Sequence, residues 1–189
     1  RWNALGPDAL TITGDLLHAQ LSGSKRPNKS ALLDQAVLAG VGNIYADEAL
    51  FAARIHPGTQ AHRINAERSA TLAASIVEIL ESAIASRGST IRSYVDSTGQ
   101  GGGFAQFHQV YGRGGQPCTA CGTSLRESTL AQRTTIHCPT CQPLNPVRRS
   151  RSRTRQTHLS TSHSPHIDRP KGARPARVHQ PARGAITND

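Results

Sequence analysis

The chain has 189 residues, with 22 Lys and Arg against 12 Asp and Glu, a formal charge of +10 and 36% hydrophobic residues. That hydrophobic content is too low for one densely packed core over the whole length, and no apolar run approaches the length of a membrane span. A membrane-embedded protein is therefore not expected, nor a secreted one, since no secretory signal stands at the start, whereas a basic chain of this kind suits a polyanionic partner.

Residues 1–12 read as a connector with a turn at Gly6-Pro7-Asp8. The chain begins Arg1-Trp2 and contains no Met, so it is expected to be a fragment or a processed product of something longer. Residues 15–21 have the spacing of a short helix with Leu16, Leu17 and Leu21 on its apolar side. A polar, basic loop follows over 22–28, carrying Lys25 and Arg26. Residues 29–39 again show helical spacing, with Leu32, Leu33, Ala36 and Val37 in one stripe. Gly40-Val41-Gly42-Asn43 breaks that helix, and a second is expected over about 44–53, with Ala46, Leu50 and Phe51 facing inward.

His56-Pro57-Gly58 ends this unit. The longest periodic segment is 65–86, where Leu72, Ile76, Ile79, Leu80 and Ile84 form a stripe that leaves Glu78 and Glu81 outside it and Gly88 closes the helix. A short helix is expected over 89–95, and 96–103 is flexible by composition. From 104 to 142 the pattern changes to short strands and turns. The tail, 143–189, holds ten Lys and Arg against two Asp, a net +8 that leaves only +2 for the rest. Nearly devoid of large apolar residues, it cannot offset its chain entropy by burial and is expected to be disordered.

Four cysteines stand as Cys118-x2-Cys121, sixteen residues, then Cys138-x2-Cys141. Each pair places two thiolates on a tight turn, and a hairpin between the pairs brings four sulfurs to tetrahedral spacing. Two disulfides or four unconnected thiols are the alternatives, but the spacing and the absence of secretory features favour one zinc ion. Four thiolates leave no open coordination position, so the zinc is expected to be structural, and its binding can supply roughly 10–16 kcal/mol toward folding a hairpin with little core.

The short connection at Gly40-Val41-Gly42 places Asn43 where it can cap the second helix, and exposed amides there also suit a phosphate. Lys25, Arg26 and Lys29 lie just before. A plain capped helix pair with a solvated basic loop explains these residues as well as a phosphate site does.

Two segments carry a resemblance to a known family. LLDQAVLAGVGNIYADEALFAARIHP (residues 32–57) resembles the helix–two-turns–helix signature of the formamidopyrimidine-DNA glycosylase and endonuclease VIII family. VYGRGGQPCTACGTSLRESTLAQRTTIHCPTCQ (residues 110–142) resembles that family's C-terminal zinc finger. GVGNIYADE is closer to the formamidopyrimidine branch, and LGPDAL resembles the end of the family's first domain and its linker.

The resemblance implies that Lys25 binds DNA, that Asn43 contacts the backbone phosphate beside a lesion, and that Arg133 grips the same phosphates. Arg133 is also implied as proton donor for the δ-elimination step, although an always-charged guanidinium suits clamping better than donating a proton. Residues 101–104 match a loop that closes over the extruded base, reading GQGGGF around it without the proline common there.

The family's nucleophile is an N-terminal proline amine, assisted by a glutamate and a lysine of the first domain. Residue 1 here is Arg, and Pro7 is internal, so its nitrogen is an amide. The chain by itself is therefore expected not to excise a base. The basic tail lies outside the family pattern and either adds salt-dependent phosphate contacts or is a solvated extension without function.

The expected fold is mainly α: a linker remnant at 1–12, a helix–two-turns–helix DNA-binding domain at 13–103, a four-cysteine β-hairpin zinc finger at 104–142 and a disordered tail at 143–189. The expected function is damaged-duplex-DNA binding as the C-terminal part of a base-excision glycosylase and AP lyase acting on oxidised purines. A monomer in the bacterial cytoplasm, associated with the nucleoid, is expected. The alternative is a non-catalytic, zinc-dependent DNA-binding module.

Overall fold

A computed structural model of the chain describes residues 4–89 and 103–144. The expected short helix at 89–95, the flexible run at 96–103 and the disordered tail therefore fall almost wholly outside the described residues, as does half of the loop at 101–104. Four α-helices are described, α1 (Gly14–Ser22), α2 (Asn28–Leu32), α3 (Asn43–Ala52) and α4 (Ala66–Ala85), followed by two antiparallel strands, β1 (Arg126–Leu130) and β2 (Arg133–His137).

Local chemistry sets the helix ends. The Thr13 side chain caps α1 by accepting from the Leu16 amide at 3.3 Å, with Asp15 in the first turn. Asn65 does the same for α4 through the Arg68 amide at 2.9 Å, with Glu67 in the first turn. At the other end of α4, Gly88 takes φ +83° and its amide reaches back to the Ala83 carbonyl at 2.7 Å.

Packing follows the apolar stripes. α4 buries Leu72, Ala73, Ile76, Leu80 and Ala83, and both α1 and α3 lie against it. α1 approaches closely because Gly14 faces the Ala70 backbone, where a Cβ would come within 2.6 Å of Ala70 Cα. Leu17 and Leu21, four apart, are buried, whereas Leu16 is 41% exposed and does not join them. Ile84 is likewise 62% exposed, since the stripe has rotated off the core by the last turn of α4.

The expected helix at 29–39 stops at Leu32. Side-chain competition ends it. Asp34 Oδ1 accepts from the Ala36 amide at 3.0 Å, and Gln35 Oε1 accepts from the Gly40 amide at 2.9 Å while its Nε2 donates to the Val41 carbonyl. These local bonds offer the backbone an alternative to the helical ladder. The released backbone then pairs with the N-terminal segment: the Gly6 amide donates to the Gln35 carbonyl, the Ala9 amide to Ala39, and the Ala39 amide to Pro7. Leu38 and Val41 become core residues, Ala36 does not, and residues 6–12 are a packed element with Ala9 and Ile12 buried. Gly40, at φ +99°, makes the turn toward α3.

β1 is exposed, whereas Thr135, Ile136 and His137 of β2 are buried, with β2 lying against α3. A second, smaller apolar cluster of Val110, Leu125, Ile136, Cys118 and Cys138 sits here, separate from the helical core.

Two substitutions on α4 test the stripe. Ile76→Ala should lower unfolding free energy by about 2–5 kcal/mol in urea titrations of the metal-loaded chain, and Ile84→Ala by no more than about 0.5 kcal/mol. Equal losses at both positions would show that α4 is packed in a different rotation.

Candidate metal centre and polyanion cleft

The four cysteine sulfurs lie within 4.8 Å of one another, with Cys118–Cys141 at 4.0 Å and Cys121–Cys138 at 3.5 Å. A tetrahedron with metal–sulfur bonds of about 2.3 Å has edges of about 3.8 Å, so the donors are placed for one ion, while a disulfide would need about 2.05 Å. Two backbone knuckles make this possible. In the first, the Cys118 amide donates to Thr123 and the Gly122 amide to Cys118, with Gly122 at φ +74°. In the second, the Cys141 amide donates to Cys138 Sγ at 3.4 Å and the Gln142 amide to the Cys138 carbonyl at 2.9 Å.

The thiols differ in acidity. The Thr123 hydroxyl and backbone pull Cys121 down to about 6, whereas burial and then the adjacent sulfurs push Cys141 up to about 12. Four thiolates cannot share this volume without a cation, and an all-sulfur donor set suits a soft metal.

The hairpin is fixed to the helices by buried polar groups. Lys29 of α2 is wholly buried; its Nζ pairs with Asp47 Oδ1 of α3 at 2.8 Å and donates to the Thr134 carbonyl at 2.8 Å and to Thr135 Oγ1 at 2.9 Å. Three donors thus meet three acceptors. Asp47 Oδ2 accepts from the Ile136 amide at 3.2 Å. Burial nevertheless outweighs the pairing for both groups: it raises the Asp47 carboxyl to about 6 and lowers the Lys29 ammonium from its usual value.

The next residue, Glu48, accepts from the amides of Gln109, Val110 and Tyr111 at 2.8–3.0 Å. Gln142, also fully buried, donates to the Ile55 carbonyl at 2.8 Å and accepts from the Cys138 amide at 2.9 Å, tying the second knuckle to the end of α3.

Between the start of α3 and the tip of the hairpin lies a cleft of about 540 Å³, whose lining includes Ser30, Asp34, Gly42, Asn43, Ala131 and Arg133. Asn43 and Arg133 thus line one cleft although ninety positions apart in sequence. Asn43 is not the cap of α3. Gly42 holds that position without a side-chain bond, and Asn43 Nδ2 donates to the hairpin at the Thr134 carbonyl, 3.2 Å away. An asparagine already inside the helix has helical backbone angles and cannot fold back as a cap, so its amide is free to bridge.

Arg133 stands exposed at the first position of β2, paired with Leu130 across a two-residue turn. Asp34 brings a carboxylate to the same cleft, neutralised by Arg26 at 2.9 Å and held below the usual carboxylate range chiefly by the Ala36 amide.

Of the basic positions expected to face a polyanion, Arg133 alone lines this cleft. Lys25 is exposed but is not among the residues lining the cleft, and Arg26 serves Asp34. Lys29 is inside the protein and faces no ligand. Its burial and the roles of Asp47, Glu48 and Gln142 went unread in sequence, though a signal existed: Lys29 lies three and four positions before Leu32 and Leu33, and Asp47 and Glu48 are interleaved among the buried Ala46, Ala49 and Leu50.

Residues 4–95 match the family described as Formamidopyrimidine-DNA glycosylase H2TH domain. The chain is 48% identical over 141 residues to the formamidopyrimidine-DNA glycosylase of Nitratidesulfovibrio vulgaris, covering 75% of this chain and 39% of that protein. It is 48% identical over 140 residues to that of Shewanella amazonensis, covering 73% and 52%.

Among solved structures, the MutM (Fpg) protein of Thermus thermophilus superposes with a TM-score of 0.71 at 43% identity, over 76% of this chain and 56% of that one. The Lactococcus lactis Fpg, solved with DNA containing an abasic site, gives a TM-score of 0.69 at 36% identity, over 76% and 53%. The chain thus spans between 39% and 52% of the length of these two curated relatives. Residues 4–95 thus carry the family's H2TH domain, and with the likeness running on through the hairpin the chain is similar to the C-terminal part of formamidopyrimidine-DNA glycosylases.

Proposed function

We propose that this chain is the DNA-gripping part of a base-excision repair glycosylase and AP lyase, closing on the phosphate backbone of damaged duplex DNA. The observation that carries the reading is that Asn43 and Arg133 line one cleft. A guanidinium at the rim offers a permanent charge and a fork of donors matched to phosphate oxygens. The cleft is also lined by the start of α3, where Gly42 provides no side-chain cap and leaves first-turn amides for an anion. Asn43 Nδ2 carries two protons, so it can hold Thr134 with one and a phosphate oxygen with the other.

Such contacts position DNA without reading its sequence. Lys25, exposed on the loop preceding α2, supplies a further phosphate contact outside the cleft. Relatives solved with abasic and Fapy-dG DNA support oxidised purines as the lesion class of the whole protein, in which Arg133 would also lie near the δ-elimination step. The relatives named are bacterial, which supports action in a bacterial cytoplasm.

We assign zinc to the four cysteines. When bound, zinc supplies charge compensation for the thiolates and fixes both knuckles, with no position left for a reacting group. The residues of the chain do the rest: Lys29 of α2 holds the hairpin, Gln142 holds the second knuckle to the Ile55 carbonyl beyond α3, and the hairpin carries Arg133.

Binding is measured with a duplex carrying a central tetrahydrofuran abasic analogue. Arg133→Ala and Asn43→Ala should each weaken it about tenfold, the worth of one charge-assisted hydrogen bond, with little dependence on flanking sequence. Unchanged affinity for both variants would sink the clamp. Chelation of the metal should abolish this binding while most of the helical circular dichroism remains, because the helical core is separate from the cysteine cluster. Loss of the helix signal in parallel with binding would mean that the metal organises the whole molecule.

A further inference from the structure

Lys29 is the group whose place is least expected. A lysine fully out of water is rare, and holding an ion pair in an apolar interior is seldom the cheapest way to stabilise a fold. Its partners indicate a different use. Nζ donates to the Thr134 carbonyl, the peptide oxygen of the residue directly after Arg133, and the same oxygen accepts from Asn43 Nδ2. One backbone carbonyl thus receives a buried charge from α2 and the amide of the cleft asparagine from α3. The next side chain, Thr135, also accepts from Lys29, and Asp47 holds the Ile136 amide. Three successive residues of β2 are fixed from beneath by one ion pair, immediately after the arginine that faces the cleft. Beyond Arg133 the hairpin has only the two-residue turn at Ala131 and Gln132, so the contacts of residues 134–136 lie directly beneath the tip.

We propose that the buried Lys29–Asp47 pair is a positioning device for the phosphate clamp, holding the Thr134 peptide so that Arg133 and Asn43 face the same phosphate. Lys29 touches no ligand and acts through Arg133. This rests on the clamp reading and adds a dependence that a merely stabilising pair would not show: the contribution of Arg133 to DNA binding should require Lys29 and Asp47.

A double-mutant cycle separates the two. The full chain, loaded with one metal ion per molecule and checked for folding by circular dichroism, is titrated against the tetrahydrofuran duplex at several salt concentrations. Four forms are compared: wild type, Arg133→Ala, the neutral pair variant Lys29→Met with Asp47→Asn, and all three changes together. The double change removes both charges at once, leaves no lone buried ion, and keeps an acceptor for the Ile136 amide. The pair variant should weaken binding about tenfold and lower the dependence of binding on salt by about one phosphate contact. Adding Arg133→Ala to it should then cost less than twofold.

If Arg133→Ala costs the same factor in both backgrounds, the pair only stabilises the fold and the proposal is overturned. If Arg133→Ala has no effect even in the wild type, the clamp itself has failed, a distinguishable result. Should the pair variant not fold, Lys29→Gln with Asp47→Asn takes its place, retaining a neutral donor and leaving no lone charge. It should show the same loss of coupling in smaller measure, and full additivity there would equally overturn the proposal.

Discussion

Two opposite charges, Lys29 and Asp47, are both out of water, and each can be there only while the other is. Leaving either alone in the interior costs several kcal/mol, far more than a surface pair is worth. The pair joins α2 to α3 and both to β2, so it turns three separately formed elements into one assembly. No apolar contact could do this as specifically. A hydrophobic patch can slide, whereas an ammonium with three acceptors at 2.8–2.9 Å admits one register of the hairpin.

The need for such anchoring follows from the size of the hairpin. Its apolar cluster is Val110, Leu125 and Ile136 with two of the four clustered cysteines, and β1 is exposed throughout most of its length. So little buried apolar surface does not offset the entropy of ordering the chain. The four-cysteine cluster closes the base of the hairpin, and the buried polar groups of α3, Asp47 toward β2 and Glu48 toward residues 109–111, dock what lies above it. Adjacent residues of one helix thereby serve two different segments, a division that follows from the 100° between successive helical positions.

Much of this was legible in the sequence, and what was not shares a physical cause. α1, α3 and α4 announce themselves by period, and the paired cysteines by their spacing. The break after Leu32 did not, because it comes from Asp34 and Gln35 bonding their own neighbourhood, and such competition leaves the apolar spacing of 29–39 intact. Lys29 misled because charge is read as exposure; only its place on the same helical face as Leu32 and Leu33 speaks against that. The cleft joins residues ninety positions apart, a pairing that local pattern cannot supply and that the family resemblance did. Asn43 reads as a cap because its type and place fit one, yet a single-residue offset of the helix start gives that place to Gly42 and turns the asparagine toward the hairpin.

The tip of the hairpin shows what the anchoring permits. Ala131 and Gln132 both have positive φ, 49° and 58°, in a two-residue turn where Asn-Gly would be relaxed. Left-handed backbone at side-chain-bearing residues costs of order 1 kcal/mol or more each, and it persists only where the surroundings over-determine it. Here the surroundings are the Leu130–Arg133 pairing and, one residue on, the doubly held Thr134 carbonyl. A looser hairpin would relieve the strain by changing its turn, and Arg133, the first residue past that turn, would swing with it. The direction of one exposed guanidinium is therefore set by a buried lysine, through the single peptide between them.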